Sequence, residues 1–256
     1  KKIVTYFANK FEMTMAFLTY KGVENTIFTL GKIPNVSCLE NSNSSKWVPF
    51  LERSLAATVF QGCFGPGIGI TRWSEAMSLK LVLQQPPFGW GKNKNSTKDI
   101  DDNLSAATRI SFAPINEEGK VLHLGSSYTY KKTSKPVTFS TTEVKLREGT
   151  KLFSSSEIIT DYYQVLGGET SYLYGPFQIE AEYLHNFIEK DSINFNGFHV
   201  QTNYILTGQS RIYDHKNGKF GNIKMTDGSS AWQVAARYSQ INLHHTAQIN
   251  LQHNWV

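Results

Sequence analysis

The chain has 256 residues, of which 13% are aromatic and only 18% charged, and a formal net charge of +5. Rings are plentiful and charges thin for a soluble domain, and the basic residues are dispersed rather than gathered into the patch that nucleic acid requires. No apolar run approaches the roughly 18 residues of a membrane-spanning helix, so a bilayer crossing would have to use short alternating strands.

In chain order, period-two alternation predicts strands at 11–20 and 25–33, joined by the turn "KGVE" at 21–24. A long segment, 34–65, follows. Cys38 and Cys63, the only cysteines, flank it. In an oxidising compartment they form a candidate disulfide, with two unrelated thiols the equal alternative. Strands at 66–73 and 76–84 share the turn "SE" at 74–75, and the long segment 85–106 leads to strands at 107–115 and 119–131 around "NEEG". A third long segment, 132–157, precedes a strand at 158–173 and the turn "YGPF" at 174–177. Long and short connections therefore alternate, placing tight turns at one end of an antiparallel meander and long loops at the other. Transmembrane barrels are built this way. A Greek-key sandwich has no reason to sort its loops so.

The next strand, "FQIEAEYLHNF" at 177–187, opposes Phe177, Ile179, Ala181 and Tyr183 to Gln178, Glu180, Glu182 and Asn186. Glu180 and Glu182 point the same way, roughly 6–7 Å apart by strand rise. That is near the spacing an inverting glycosidase uses. Yet 195–206, 231–240 and 246–255 repeat the pattern with His199, Gln201, Asn203, Arg237, Gln248 and Asn250 on the polar face. The two glutamates therefore read as members of a wet inner wall, together with Arg109 and Arg237. Two places break the pattern. Residues 209–230 are long where a short turn is due, and 241–248 pass between strands without a turn residue, as expected where a loop is missing. About twelve strands are readable. The adjacent His244 and His245 face opposite ways, so no metal site is expected from them.

At "SSKWVPFLERSL", residues 44–55, preceded by "IFTLGKIP" and followed by "GIGI", the chain resembles the phosphate-selective porins O and P. The stretches "FAPINEEGKVLHLGSSYTY" (112–130), "GPFQIEAEYL" (175–184), "YILTGQSRIY" (204–213) and "SAWQVAARYS" (230–239) agree in order. The resemblance implies an all-β transmembrane antiparallel barrel of about sixteen strands, here one domain over 1–256 that is incomplete at both ends. It implies a homotrimer in the lipid and lipopolysaccharide of a bacterial outer membrane, with loop 34–65 folded into the pore. Small anions, phosphate or polyphosphate among them, would be the permeating solutes, with no cofactor, no nucleic acid and no chemical step.

In phosphate-specific relatives the third loop contributes a lysine, two serines and an arginine to the anion site. Ser44 and Ser45 match the serines and Arg53 the arginine, Lys46 adds a neighbouring charge, and Asn41 stands in the lysine's place. Lys135, Lys145 and Arg147 fall where those relatives carry an arginine-rich external loop. The expected function is passive diffusion of small hydrophilic solutes with a lean toward anions. The rivals are an envelope scaffold or adhesin barrel with a blocked lumen and, further off, a soluble β-sandwich glycosidase using Glu180 and Glu182.

Overall fold

Strands form here where aromatic and branched residues alternate with small or polar ones. The computed structural model describes residues 2–7, 11–60, 64–85, 104–142, 151–190, 193–225 and 230–243, and contains fifteen strands within them. They are β1 (Lys2–Phe7), β2 (Phe11–Val23), β3 (Thr26–Pro34), β4 (Phe64–Trp73), β5 (Met77–Gln84), β6 (Ser105–Glu117) and β7 (Lys120–Lys132), then β8 (Ser140–Thr142), β9 (Lys151–Ser154), β10 (Tyr162–Tyr174), β11 (Phe177–Ile188), β12 (Asn194–Ile205), β13 (Arg211–Asp214), β14 (Lys219–Ile223) and β15 (Gln233–Asn242). Two short helices, α1 (Leu39–Ser42) and α2 (Leu55–Val59), lie between β3 and β4.

Eleven strands pair in one antiparallel sheet, in the order β1-β2-β3-β4-β5-β6-β7-β10-β11-β12-β15. The pairs β8–β9 and β13–β14 are separate hairpins. Neighbouring tight turns lean on one another along one rim. Trp73 N–H donates to Asn25 O (3.1 Å), Ala113 N–H to Ala76 O (2.7 Å), Gly175 N–H to Gly119 O (2.7 Å) and Ile205 N–H to Pro176 O (3.0 Å). The long connections after β3, β5 and β7 leave the opposite rim, where the short segment 189–193 also joins β11 to β12, whereas the long connection from β12 to β15, which carries β13 and β14, leaves the tight-turn rim. On β6, Phe112 pairs with Leu124 and Ile115 with Leu122, so Ala113 and Pro114 together oppose a single residue. The bulge falls where proline has no N–H to give the ladder.

The sheet is apolar on its exposed face and polar on its buried one. Along β11, Gln178, Glu180, Glu182 and Asn186 are buried while Phe177, Ile179, Tyr183 and Phe187 are exposed. Along β12, His199, Gln201 and Asn203 are buried while Val200 and Tyr204 are exposed. Ile68, Ile70, Leu79, Leu81 and Leu83 extend the exposed apolar belt across β4 and β5. A soluble sandwich would bury the opposite face. A membrane barrel requires this one.

Three expectations need comment. The strand predicted at 246–255, and most of the turnless passage 241–248, lie outside the described residues, while β1 adds a strand before the first one predicted. The connection 209–230 is not bare coil, because it contains β13 and β14. Their hairpin turn includes Asn217 and Gly218, a pairing that favours tight reversal between two short strands.

A charge placed on the exposed face tests its assignment to lipid. Val200→Arg, in the middle of β12, is expected to destabilise the protein folded into liposomes by about 2–4 kcal/mol if that position lies near the bilayer midplane. Urea titration of wild type and variant reads the difference, and equal midpoints would contradict the assignment.

Candidate functional site

Residues 35–60 leave β3 and run across the buried face of the sheet. Ser127 Oγ on β7 donates to Ser37 O, Glu40 N–H donates to Glu182 Oε1 on β11 at 2.6 Å, and Leu55 N–H donates to Ser239 Oγ on β15 at 3.0 Å. Ser54 caps α2 by accepting from Ala57 N–H at 3.3 Å. The helix then packs so closely on β12 that a Cβ at Gly197 would stand 2.9 Å from the Ala56 methyl, so only glycine fits there. Cys38, Ala56, Phe60, Phe139, Leu184 and Phe195 form part of the apolar cluster at this contact.

Glu40 holds the segment together. Its carboxylate is buried, with Oε2 accepting from Ser54 N–H at 2.9 Å and Oε1 from Arg237 Nη1 at 3.1 Å. Its own carbonyl accepts from Arg53 Nε at 3.0 Å. Arg237, half-buried, also donates to Glu52 O (2.9 Å) and lies over the Phe50 ring at 4.4 Å. One acidic residue thus ties both ends of the segment to two strands.

The same network fixes Arg53. Its Nη2 donates to Asn43 O at 2.8 Å, which holds the guanidinium beside the turn that begins at Ser44. In that turn Trp47 N–H donates to Ser44 O at 2.9 Å, and Ser45 and Lys46 are exposed. Ser44, Ser45, Lys46 and Arg53 therefore share one tip. Asn41 does not join them. Its amide donates to Ala57 O (2.9 Å) and Ser37 Oγ (3.2 Å), within the segment. Lys135 is exposed on a different connection, after β7, and Lys145, Arg147 and Cys63 lie outside the described residues.

Arg109, Glu180 and Glu182 are all on the buried face, and Arg109 is fully engaged there. It forms an ion pair with Glu169, with Nε to Oε2 at 3.2 Å, and donates to Gly218 O at 2.7 Å. Glu169 Oε1 also meets His123 Nε2 at 3.0 Å, whose Nδ1 lies 2.7 Å from the Tyr213 hydroxyl. Burial raises the Tyr213 phenol above its ordinary range, so it remains a neutral hydroxyl. Glu180 accepts from Gln201 Nε2 at 2.7 Å, whereas Glu182 accepts from the Glu40 N–H, so the two glutamates have separate partners. The β13–β14 hairpin is held to the wall by these contacts and by Ser78 Oγ donating to Lys216 O at 2.8 Å. It also reaches the 35–60 segment, with Phe220 N–H on Asn43 Oδ1 at 3.0 Å and Arg211 on Trp47 O. Alternation alone did not mark Glu40, Arg211, His123 or this hairpin. The available signal was "DHKNGKF", an Asn-Gly turn between Tyr213 and Phe220.

Truncating Arg237→Ala leaves the Glu40 carboxylate with one donor fewer and should loosen the segment by about 1–3 kcal/mol. Limited proteolysis is expected to cut within 44–53 faster while the thermal transition of the sheet stays in place. Unchanged nicking would count against the clamp. The Cys38 thiol is free and buried, and burial, followed by the Glu182 charge, raises its pKa. A raised pKa means less thiolate at a given pH and slower reaction. In a Cys63→Ser background, Cys38 should resist iodoacetamide at pH 8 until the protein is denatured, and fast labelling of the folded form would contradict this packing.

The chain is 26% identical over 260 residues to Porin O of Pseudomonas aeruginosa, an alignment covering 89% of this chain and 57% of that protein's length. It thus spans little more than half of the relative. Among solved structures, the outer membrane protein OmpT of Vibrio cholerae, in its trimer form, matches with 9% identity and a TM-score of 0.38, over 91% of this chain and 82% of that one. The family described as phosphate-selective porin O and P matches residues 2–255. The chain belongs to that family, and its fold is that of a bacterial outer-membrane β-barrel.

Proposed function

We propose that the protein is an outer-membrane porin, a passive diffusion channel for small hydrophilic solutes with a lean toward anions. The observation that carries this reading is the tip formed by exposed Ser45 and Lys46 and half-buried Ser44 and Arg53, set on the polar side of an inside-out sheet by the Glu40 and Arg237 clamp. On this reading 34–65 is the constriction loop. A fixed guanidinium beside two hydroxyls gives an anion directed donors and a positive charge. Asn41, turned into the loop, leaves the family's lysine position without a charge, which favours general anion passage over tight phosphate selection. Membership in the family supports a homotrimer embedded in outer-membrane lipid and lipopolysaccharide, with no catalytic step.

A second reading has its own support. The β13–β14 hairpin meets the loop inside the sheet through Asn43 and Trp47, as a plugged scaffold barrel would require. Single-channel recordings of the full-length protein decide between them. Wild type is expected to conduct with anions favoured, and Arg53→Ala to lower the anion-to-cation permeability ratio about threefold, in line with under 1 kcal/mol for one partly exposed charge. Block by low phosphate would restore a phosphate site. Absence of conductance would move the assignment to the scaffold.

A further inference from the structure

Four carboxylates gather on the buried face. Register brings them there: Glu169 on β10 stands opposite Glu182 on β11, which stands opposite His199 on β12, and Glu180 stands opposite Gln201. The groups acting electrostatically on Glu182 include Glu169, Glu180 and Glu40. Two of the four have arginine partners, Glu169 with Arg109 and Glu40 with Arg237. Glu180 and Glu182 have no such pairing among the described residues. Glu182 Oε1 accepts only the Glu40 amide, and Glu180 Oε1 accepts the Gln201 amide with His199 Nε2 3.6 Å away. Arg211 acts on Glu180 and Arg109 on Glu182 through space, but the donors of Arg211 go to Gln178 Oε1 and Trp47 O and those of Arg109 to Glu169 and Gly218 O.

The same rungs carry polar atoms with no hydrogen-bond partner. Glu182 Oε2, Gln201 Oε1 and both ring nitrogens of His199 are buried and unpartnered, and His199 is 1% exposed. The chemistry of these atoms is set by their neighbours. Gln201 must turn its NH2 to the Glu180 carboxylate, so the atom left over is the carbonyl oxygen. Two buried carboxylates with no hydrogen-bonded arginine or lysine among the described residues, beside an unused carbonyl oxygen, offer oxygen ligands to a cation.

We infer that Glu180, Glu182 and the Gln201 carbonyl form a binding site for a hard divalent cation, Mg²⁺ or Ca²⁺, in the inner wall. Oxygen ligands suit these ions. Among the described residues no three His, Cys, Asp or Glu side chains are arranged as a metal centre. Mg²⁺ and Ca²⁺ do not require such a closed cage, because they take oxygen ligands from one or two carboxylates and from water. The glutamates lie two residues apart on one strand face, roughly 6–7 Å along the backbone, a gap one partly hydrated ion bridges. His199 accepts from a coordinated water through whichever ring nitrogen is unprotonated. The role of the site rests on the channel reading above: an occupied site cancels the acidic wall on the same face of the sheet as the Arg53 tip and raises anion preference.

The test uses full-length protein in detergent and in planar bilayers. Equilibrium dialysis with radiolabelled calcium, competed by Mg²⁺, is run on wild type and on the double variant Glu180→Gln/Glu182→Gln, with circular dichroism confirming the fold. Wild type should show a chelator-sensitive site that weakens at least about tenfold in the double variant. In bilayers, Ca²⁺ should shift the wild-type reversal potential toward anions, and the double variant should start from that shifted value and ignore Ca²⁺. Equal binding by both proteins, or a Ca²⁺ shift that persists in the double variant, overturns the inference. Conduction without any such site leaves the channel standing and the inference refuted. Silence of every variant in bilayers refutes the channel, and dialysis alone then decides the site.

Discussion

A chain that crosses hydrocarbon by strands must pair every backbone N–H and C=O with a neighbouring strand, because no water is present to replace a missing partner. This constraint organises the molecule. The eleven strands of the sheet pair in chain order, each antiparallel to its neighbour, with a few local register shifts. The shift on β6 sits where Pro114 has no donor, and the bulge places that residue where the ladder does not need one. Once backbone pairing is complete, side chains alone distinguish the two faces. One becomes a belt of Leu, Ile, Phe, Tyr and Val, and the other collects Glu, Gln, Asn, His and Arg.

The polar face then creates a second demand. Buried carboxylates and guanidinium groups are costly unless something satisfies them. Two inserted segments meet that demand from opposite rims. The 35–60 segment brings Glu40 to Arg237 and its own amide to Glu182. The β13–β14 hairpin brings Tyr213 to His123 and the Gly218 carbonyl to Arg109. The loops are therefore the hydrogen-bond partners of the wall as much as obstacles within it. Their contact with each other, Phe220 on Asn43, couples the positions of the two.

This division explains what alternation made legible. Period-two patterning depends on which face each residue occupies, and it located the strands and the membership of the polar wall, including Arg109, Glu180 and Glu182. It carries no information on contacts between segments far apart in the chain. Glu40 lies in irregular loop sequence, and its importance comes from partners at Ser54, Glu182 and Arg237, which only folding brings together. The hairpin was hidden differently, because strands as short as β13 and β14 barely express a period. Their Asn-Gly turn was the readable mark.

The arginines show why wall membership does not by itself predict a role toward solutes. Arg109 is spent on Glu169 and Gly218, and Arg237 on Glu40 and Glu52. Each is matched by a carboxylate, so neither offers a net charge to a passing ion. Arg53 differs in kind, because both of its partners are neutral carbonyls, of Glu40 and Asn43. Carbonyls orient a guanidinium without cancelling its charge. The loop thus converts an acidic anchor into a positive tip: Glu40 spends its negative charge on Arg237 and lends Arg53 only its backbone. On β11, Glu180 and Glu182 have no hydrogen-bonded arginine among the described residues and accept instead from the Gln201 amide and the Glu40 N–H. On the channel reading proposed above, the sign of the passage would follow this balance of matched and unmatched groups rather than the number of basic residues that line it.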